Sequence, residues 1–329
     1  MTNSNPTIYD VAKSAGVSIA TVSRVLNFPS KVNPVTRTAV INVIDHLGYV
    51  PKAESRARAL KRTGRIGVLI PFFTEPSFVQ RLRGIASVLS QRDCEMVIYP
   101  VDFSSRMKSY MEALPLNRNL DGLIIVSQVL DQDTARRIRK YNLETVLIEH
   151  YDQHFSSLQI DDEAGGAMAA KYLIKKGFTR FAFIGGKSQP EFGVDPITIR
   201  LKGYQKAIVE SGFELCVDMI YPFVFHPGEA LEEILLKGIP VAIFAATDLQ
   251  AVSLIKEART RGIRIPQDVA IIGFDDLDMA NYVGLTTIHQ PLDESGRIAA
   301  DLLLSRLDDP SRSIQHITLP LKIIERETV

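Results

Sequence analysis

The sequence predicts an α/β protein: an all-α helix-turn-helix headpiece followed by two doubly wound lobes, each on a parallel sheet. Three observations carry that prediction. Apolar residues recur at helical spacing on both sides of a glycine near the N-terminus. From Ile66 onward, short β-rich runs alternate with amphipathic helical patterns, as in parallel sheets covered on both faces. The alternation then runs through a second time, and 329 residues, 46% of them hydrophobic, are enough for more than one core.

The first element carries Ile8, Val11, Ala12 and Ala15 on one helical face, and Gly16 ends it. Small Ala12 and Ala15 allow a second helix to cross closely, and Gly16 tolerates the positive φ of a tight corner. Ser18 stands where it can N-cap that second helix, which buries Val22, Val25 and Leu26. Outward remain Ile19, Ala20, Thr21, Ser23 and Arg24, short or hydrogen-bonding groups suited to the major groove of duplex DNA. An αα-hairpin in an ordinary core would show the same helix, glycine, helix pattern. After a loop, Asn33 caps a third helix with Pro34 at its first position. Ala39, Val43 and Leu47 are read as its buried stripe and Gly48 as its end. These elements make a headpiece over residues 1–51, closed by Tyr49-Val-Pro51.

Residues 52–65 contain good helix formers but no apolar stripe beyond alanines and Leu60, the composition of a solvated connector. The core then begins. Its first series of strands is Ile66–Ile70, Glu95–Tyr99, Gly122–Val126 and Thr145–Ile148, with helices over Phe78–Ser90 and Thr134–Tyr141. The second series is Phe181–Ile184, Val241–Ala245 and Val269–Ile272, with helices over Gly165–Lys176, Ile199–Ser211, Gly228–Leu236 and Leu249–Arg261. A ligand crevice is expected at the carboxyl ends of the strands, between the lobes.

Net charge is zero, which alone argues against a nucleic-acid partner. Its distribution argues the reverse. Residues 1–65 hold ten Lys or Arg against three acidic residues, a charge of +7, leaving −7 for the rest. A basic head on an acidic body is a footprint for phosphate at one end only. Cys94 and Cys216 lie far apart in apolar settings, a poor pattern for a disulfide or a metal site. No apolar run approaches a membrane span and no secretory leader is evident, so a cytoplasmic location and no membrane partner are expected.

The run Ala15-Gly-Val-Ser18, followed by Thr21-Val-Ser-Arg-Val-Leu-Asn27, resembles the DNA-binding signature of the lactose-repressor (LacI/GalR) family. The resemblance covers almost the whole chain. Asp121-Gly122, Asp161-Asp162, Ile184-Gly-Gly186, Arg200-Leu-Lys-Gly203, Thr247-Asp248, Gly273-Phe-Asp-Asp276 and Leu285-Thr-Thr-Ile288 follow in family order. It implies periplasmic-binding-protein-like lobes and a homodimer on a pseudo-palindromic double-stranded DNA operator. It further implies a small-molecule effector, a sugar among the candidates, and no cofactor, metal or catalytic residue. The DNA-facing set becomes Thr7, Ser18, Ile19, Ala20, Thr21, Ser23, Arg24 and Asn27. The resemblance also implies three crossings between lobes, near Gln159, Pro291 and Leu321. Lobe one would span 66–159 and 291–320, borrowing the helix Asp293–Leu307, and lobe two 160–290 and 321–329.

The same resemblance makes residues 52–65 a hinge that folds in the minor groove and wedges a leucine into the central base step. Here the sequence departs from the pattern. Ala57-Arg58-Ala59-Leu60 stands two residues further from Tyr49 than in relatives, so a rigid count puts Arg58 at the wedge. Leu60 is preferred, because an arginine cannot unstack bases as an apolar wedge does.

Among effector contacts, Arg200 matches the family's arginine, with a surface salt bridge as the plain alternative. Asp275 matches its acidic contact, with capping of the next helix as the alternative. Asp161, Thr247 and Gln290 follow the same strand-end logic. Phe78 and Phe223 match stacking positions and Phe72 lies on the first strand-end loop, although core packing would account for some of these rings. Two other classes of protein fit the sequence less well. An enzyme with Mg²⁺ on Asp275-Asp276 and Asp278, or on Asp161-Asp162-Glu163, lacks a Walker or dinucleotide fingerprint. A periplasmic solute-binding protein would share the lobes but not the headpiece. No leucine heptad follows the last strand near Ile323, so no coiled-coil tail is expected.

Overall fold

The computed structural model describes residues 6–27, 32–49, 63–101, 104–117, 119–186, 194–221 and 226–329. They form two compact units, Met1–Gly64 and Arg65–Val329. In the first, α1 (Ile8–Ala15), α2 (Ile19–Asn27) and α3 (Pro34–Leu47) surround buried Val11, Ala12, Val22, Val25 and Val40. Each end has a local cause. Asp10 accepts from the Thr7 backbone N–H at 2.7 Å, starting α1, and Gly16 ends it at φ 65°. Ser18 Oγ accepts from Thr21 N at 3.1 Å, capping α2, and Asn33 caps α3 through Val35 N at 2.9 Å. One expectation is corrected. Ala39 is exposed, and the inward stripe of α3 is Val40, Val43, Ile44 and Leu47. The 39, 43, 47 spacing steps by four throughout and drifts off the face, whereas 40, 43, 44, 47 follows the helical repeat.

The second unit holds two six-stranded sheets. The first comprises β1 (Arg65–Pro71), β2 (Glu95–Val101), β3 (Gly122–Val126), β4 (Glu144–Ile148), β5 (Ser156–Gln159) and β11 (His316–Thr318). Its order is β11-β5-β4-β3-β1-β2, parallel throughout. The second comprises β6 (Phe181–Gly186), β7 (Leu215–Tyr221), β8 (Val241–Ala245), β9 (Val269–Asp275), β10 (Thr286–His289) and β12 (Lys322–Ile324). Its order is β12-β10-β9-β8-β6-β7, with only β12 antiparallel. Ignoring the last strand of each, the two orders are the same. The central strands are buried from end to end, which is why they read in sequence as unbroken apolar runs.

Helices α4 (Pro76–Leu89), α5 (Ser104–Asn117), α6 (Gln132–Lys140) and α12 (Leu292–Asp308) belong with the first sheet. Helices α7 (Asp162–Lys175), α8 (Pro196–Glu210), α9 (Pro227–Leu235), α10 (Asp248–Thr260) and α11 (Asp278–Val283) belong with the second. The chain passes between sheets after Gln159, after His289 and after Thr318. Those three crossings converge: Gln159, Ile160, Gln290, Pro291 and Leu319 line one narrow cleft. Several residues at strand carboxyl ends adopt left-handed backbone, including Phe72 at φ 43°, Ser127 at 53°, Glu149 at 64° and Asp275 at 115°. Non-glycine residues tolerate that region only where the surroundings hold them there, and functional loops are where it clusters.

Candidate functional site

Two surfaces come together from the expected residues. On the headpiece, Ile19, Ala20 and Arg24 are exposed on α2, with Thr21 and Ser23 half-buried beside them. Ser18 is occupied in the cap and Thr7 lies at the start of α1, so both place their hydroxyls at helix N-termini. Asn27 is the last residue of α2. Arg58, Leu60 and Phe223 lie outside the described residues.

The second surface lies where the carboxyl ends of the two sheets meet. Arg200, from α8, is 4% exposed, so the surface salt-bridge reading does not apply. Its Nε donates to Asp162 at 2.7 Å, its Nη1 donates to the Ala246 carbonyl at 2.7 Å, and the guanidinium lies 3.6 Å from the centre of the Phe274 ring. Asp275 does not cap the next helix, whose N-cap is Leu277. It is buried and accepts from Gln290 Nε2 at 3.0 Å. Gln290 in turn accepts from Arg81 Nη2 at 3.3 Å, and Arg81 is ion-paired with Glu149, which also accepts from the Ser127 hydroxyl. The network therefore runs from β4 and α4 of one lobe, through a crossing segment, to β9 of the other.

Asp161 and Thr247 have defined local work. Asp161 caps α7 through Ala164 N at 2.8 Å and Thr247 caps α10 through Gln250 N at 3.4 Å. Phe72 and Phe78 pair with ring centroids 6.4 Å apart, and the Arg81 guanidinium sits 5.6 Å from the Phe78 ring. The acids proposed for Mg²⁺ go elsewhere: Asp276 to His289 and Arg326, Asp162 to Arg200, Glu163 to Lys202. Asp275 and Asp276 thus point opposite ways from one strand end.

Electrostatics follow from burial and partners. Burial pushes Asp275 up to about 6, with Arg200 and Arg81 opposing and Glu149 and Asp162 adding to the rise. Burial likewise raises Asp162 against the pull of Arg200. Asp248 is held well above the ordinary carboxylate range by burial and then by Asp275, although it accepts from Thr287 Oγ1 at 2.6 Å and Leu277 N at 2.7 Å. Burial also works to raise Asp276, but its bonds to His289 and Arg326 hold it below the usual value.

Sequence reasoning did not single out Arg81, Glu149 or Ser127, and it met Asp162 and Phe274 only inside family-like motifs, with Asp162 also weighed as a metal ligand. A signal for Arg81 was present: Arg81-Leu-Arg-Gly84 repeats Arg200-Leu-Lys-Gly203. Nothing local marks Glu149 or Ser127, whose place is set by strand order.

A helix-turn-helix headpiece joined to a two-lobed domain with a charged crevice has the build of a ligand-responsive DNA-binding regulator. Comparison with known proteins agrees. Residues 7–52 match the bacterial regulatory proteins of the lacI family and residues 170–329 a periplasmic binding protein-like domain. The chain is 32% identical to the ribose operon repressor of Escherichia coli, covering 97% of this chain and 98% of that one. This protein belongs to the LacI family of transcriptional regulators. Among solved structures, the lac repressor dimer bound to operator and the anti-inducer ONPF superposes with TM-score 0.78 at 25% identity, covering 99% of each chain. A LacI family regulator from Enterococcus faecium with bound ribose matches with TM-score 0.69 at 27% identity, covering 80% of this chain and 98% of that one.

Proposed function

We propose that this protein is a sequence-specific transcriptional repressor of the cytoplasm, acting as a symmetric homodimer on a pseudo-palindromic operator, with a sugar-class effector bound between the lobes. The observation that carries the reading is the buried network joining both sheets at their carboxyl ends, in a chain that begins with a helix-turn-helix. A ligand entering there meets residues of both lobes, so its affinity depends on how the lobes are arranged. Dimerisation supplies the second half-site that a single headpiece needs to compete with non-specific DNA.

In this reading Ile19, Ala20 and Arg24 read base edges, while Thr7, Ser18, Thr21, Ser23 and Asn27 hold phosphates. Residues 52–65 are the hinge, with Leu60 the wedge and Arg58 a charge in the minor groove. Arg200, Asp275 and Gln290 bond the effector's hydroxyls, Asp161 and Thr247 shape the rim, and Phe72, Phe78 and Phe223 offer ring faces. The test is a binding-site selection with the full chain, followed by anisotropy titrations of the selected DNA with D-ribose and cellobiose. The expected result is a two-half-site sequence whose affinity changes by at least about tenfold with one sugar, a coupling of about 1.4 kcal/mol. No sequence preference, or chemical turnover of the sugar, would overturn the reading.

A further inference from the structure

The two lobes repeat one module, Arg81-Leu-Arg-Gly84 on α4 and Arg200-Leu-Lys-Gly203 on α8. In each, the glycine abuts the facing helix: a Cβ on Gly84 would stand 2.0 Å from the Asp293 carbonyl oxygen, and one on Gly203 1.9 Å from that of Glu163. In each, the basic residue before the glycine bonds the side chain of that same acid, Arg83 to Asp293 and Lys202 to Glu163, both at 2.9 Å. In each, the arginine three residues before the glycine is buried, lies by an aromatic ring and pairs with a carboxylate at the lobe junction. Arg81 is thus to lobe one what Arg200 is to lobe two.

We propose that Arg81 is a specificity-determining effector contact, the lobe-one counterpart of Arg200, and that the ligand it helps to hold is uncharged and hydroxyl-rich. The proposal rests on the crevice being the effector site. Arg81 is 3% exposed and its Nε is buried with no hydrogen-bond partner, a donor left to be satisfied by something else. It also bridges Glu149 to Gln290, so a group bonding it is sensed on both sides of the junction. Charge selects the ligand class. Two guanidinium groups, Arg81 and Arg200, stand among three carboxylates, Glu149, Asp162 and Asp275, leaving an excess negative charge in a buried setting. A phosphate or carboxylate would enter against that excess. A neutral diol suits a carboxylate beside a guanidinium, donating to one and accepting from the other.

The experiment is thermal shift of the full chain with D-ribose, cellobiose and ribose 5-phosphate as probes. The variants are Arg81→Lys, the double variant Arg81→Met with Glu149→Met, and Arg200→Lys. The double variant replaces the buried pair by apolar groups, so it loses the contact without leaving an unpaired buried charge, and its unliganded melting temperature is read alongside as the control for folding. A neutral sugar is expected to shift the wild type and ribose 5-phosphate is not, and all three variants are expected to lose about tenfold or more in affinity. If the double variant binds within about twofold of wild type while Arg200→Lys loses binding, Arg81 is a structural pair only and the proposal fails. Tighter binding of ribose 5-phosphate than of ribose overturns the ligand class. If neither neutral sugar shifts the wild type, or Arg200→Lys binds normally, the crevice reading itself fails and Arg81 falls with it.

Discussion

Replacing Asp275 by asparagine should stabilise the protein, and only above mildly acidic pH. Asp275 is buried, and its carboxyl is pushed up from 3.8 to about 6, first by burial. Arg200 and Arg81 pull it down, while Glu149 and Asp162 push with burial. A folded-state pKa above the unfolded value means that the native state binds the proton more tightly. Stability therefore falls as pH rises from 3.8 through about 6, and stays reduced beyond. That rise corresponds to about 3 kcal/mol withheld from the native state near pH 7. Asp275→Asn keeps the shape and an oxygen that can still accept from Gln290 Nε2, but has no charge to desolvate. It also relieves Asp248, which Asp275 helps to raise, an effect of the same sign. The expected gain approaches about 3 kcal/mol near pH 7 and shrinks towards zero near pH 4. Urea unfolding of wild type and variant at constant ionic strength across that range gives the difference directly, since other titrating groups largely cancel. A pH-independent difference, or a less stable variant near pH 7, would refute the assigned burial of charge.

Gly203→Ala should be severely destabilising, because its Cβ would lie 1.9 Å from backbone that cannot step aside. A loss of about 3 kcal/mol or more is expected in urea unfolding, against about 1 to 2 kcal/mol at Gly212, where positive φ is the only obstacle. Arg24→Ala is expected to cost about 1 to 3 kcal/mol at one base position and to relax specificity there, read by repeating the site selection. Operator affinity should fall about a thousandfold between 50 and 200 mM salt if a dimer makes about six or more phosphate contacts, and a flat titration would contradict the phosphate footprint of the basic head. Leu60→Ala should reduce operator bending measured by energy transfer while Arg58→Ala preserves it; the opposite outcome would favour the rigid count from Tyr49.

The alternation of the central strands was legible because each is buried on both faces, leaving only apolar residues to read. Gly122–Val126 and Val241–Ala245 are delimited in sequence as in structure. Strands β5 and β10 were not predicted as strands, because their buried positions are polar and satisfied by distant groups. Ser156 Oγ accepts from Gln315 N, and Thr286 N donates to Thr328 Oγ1, bonds that no local window contains. In the crevice, Arg200 and Asp275 were expected from family motifs and Gln290 from its place at a strand end, and the structure joins Asp275 and Gln290 directly. Arg81 and Glu149 were not, since an arginine within an amphipathic helix reads as a solvated residue until the facing strand end is known. The third helix shows the same limit on a smaller scale: the inward residue is Val40, one step from the expected Ala39.

The convergence of all three crossings on one cleft makes the lobes a lever with a single fulcrum. Within each lobe, the glycine contacts weld a helix pair backbone to backbone, so little displacement is absorbed internally. A strand of seven residues, the length of β1 and β9, spans roughly 23 Å. Arg81 and Glu149 line the same cleft as the crossings, so a small adjustment there acts at the fulcrum and is carried outward over the length of the lobe. Where one lobe can turn against the other is set by the backbone topology, and the side chains of the cleft stand at that point.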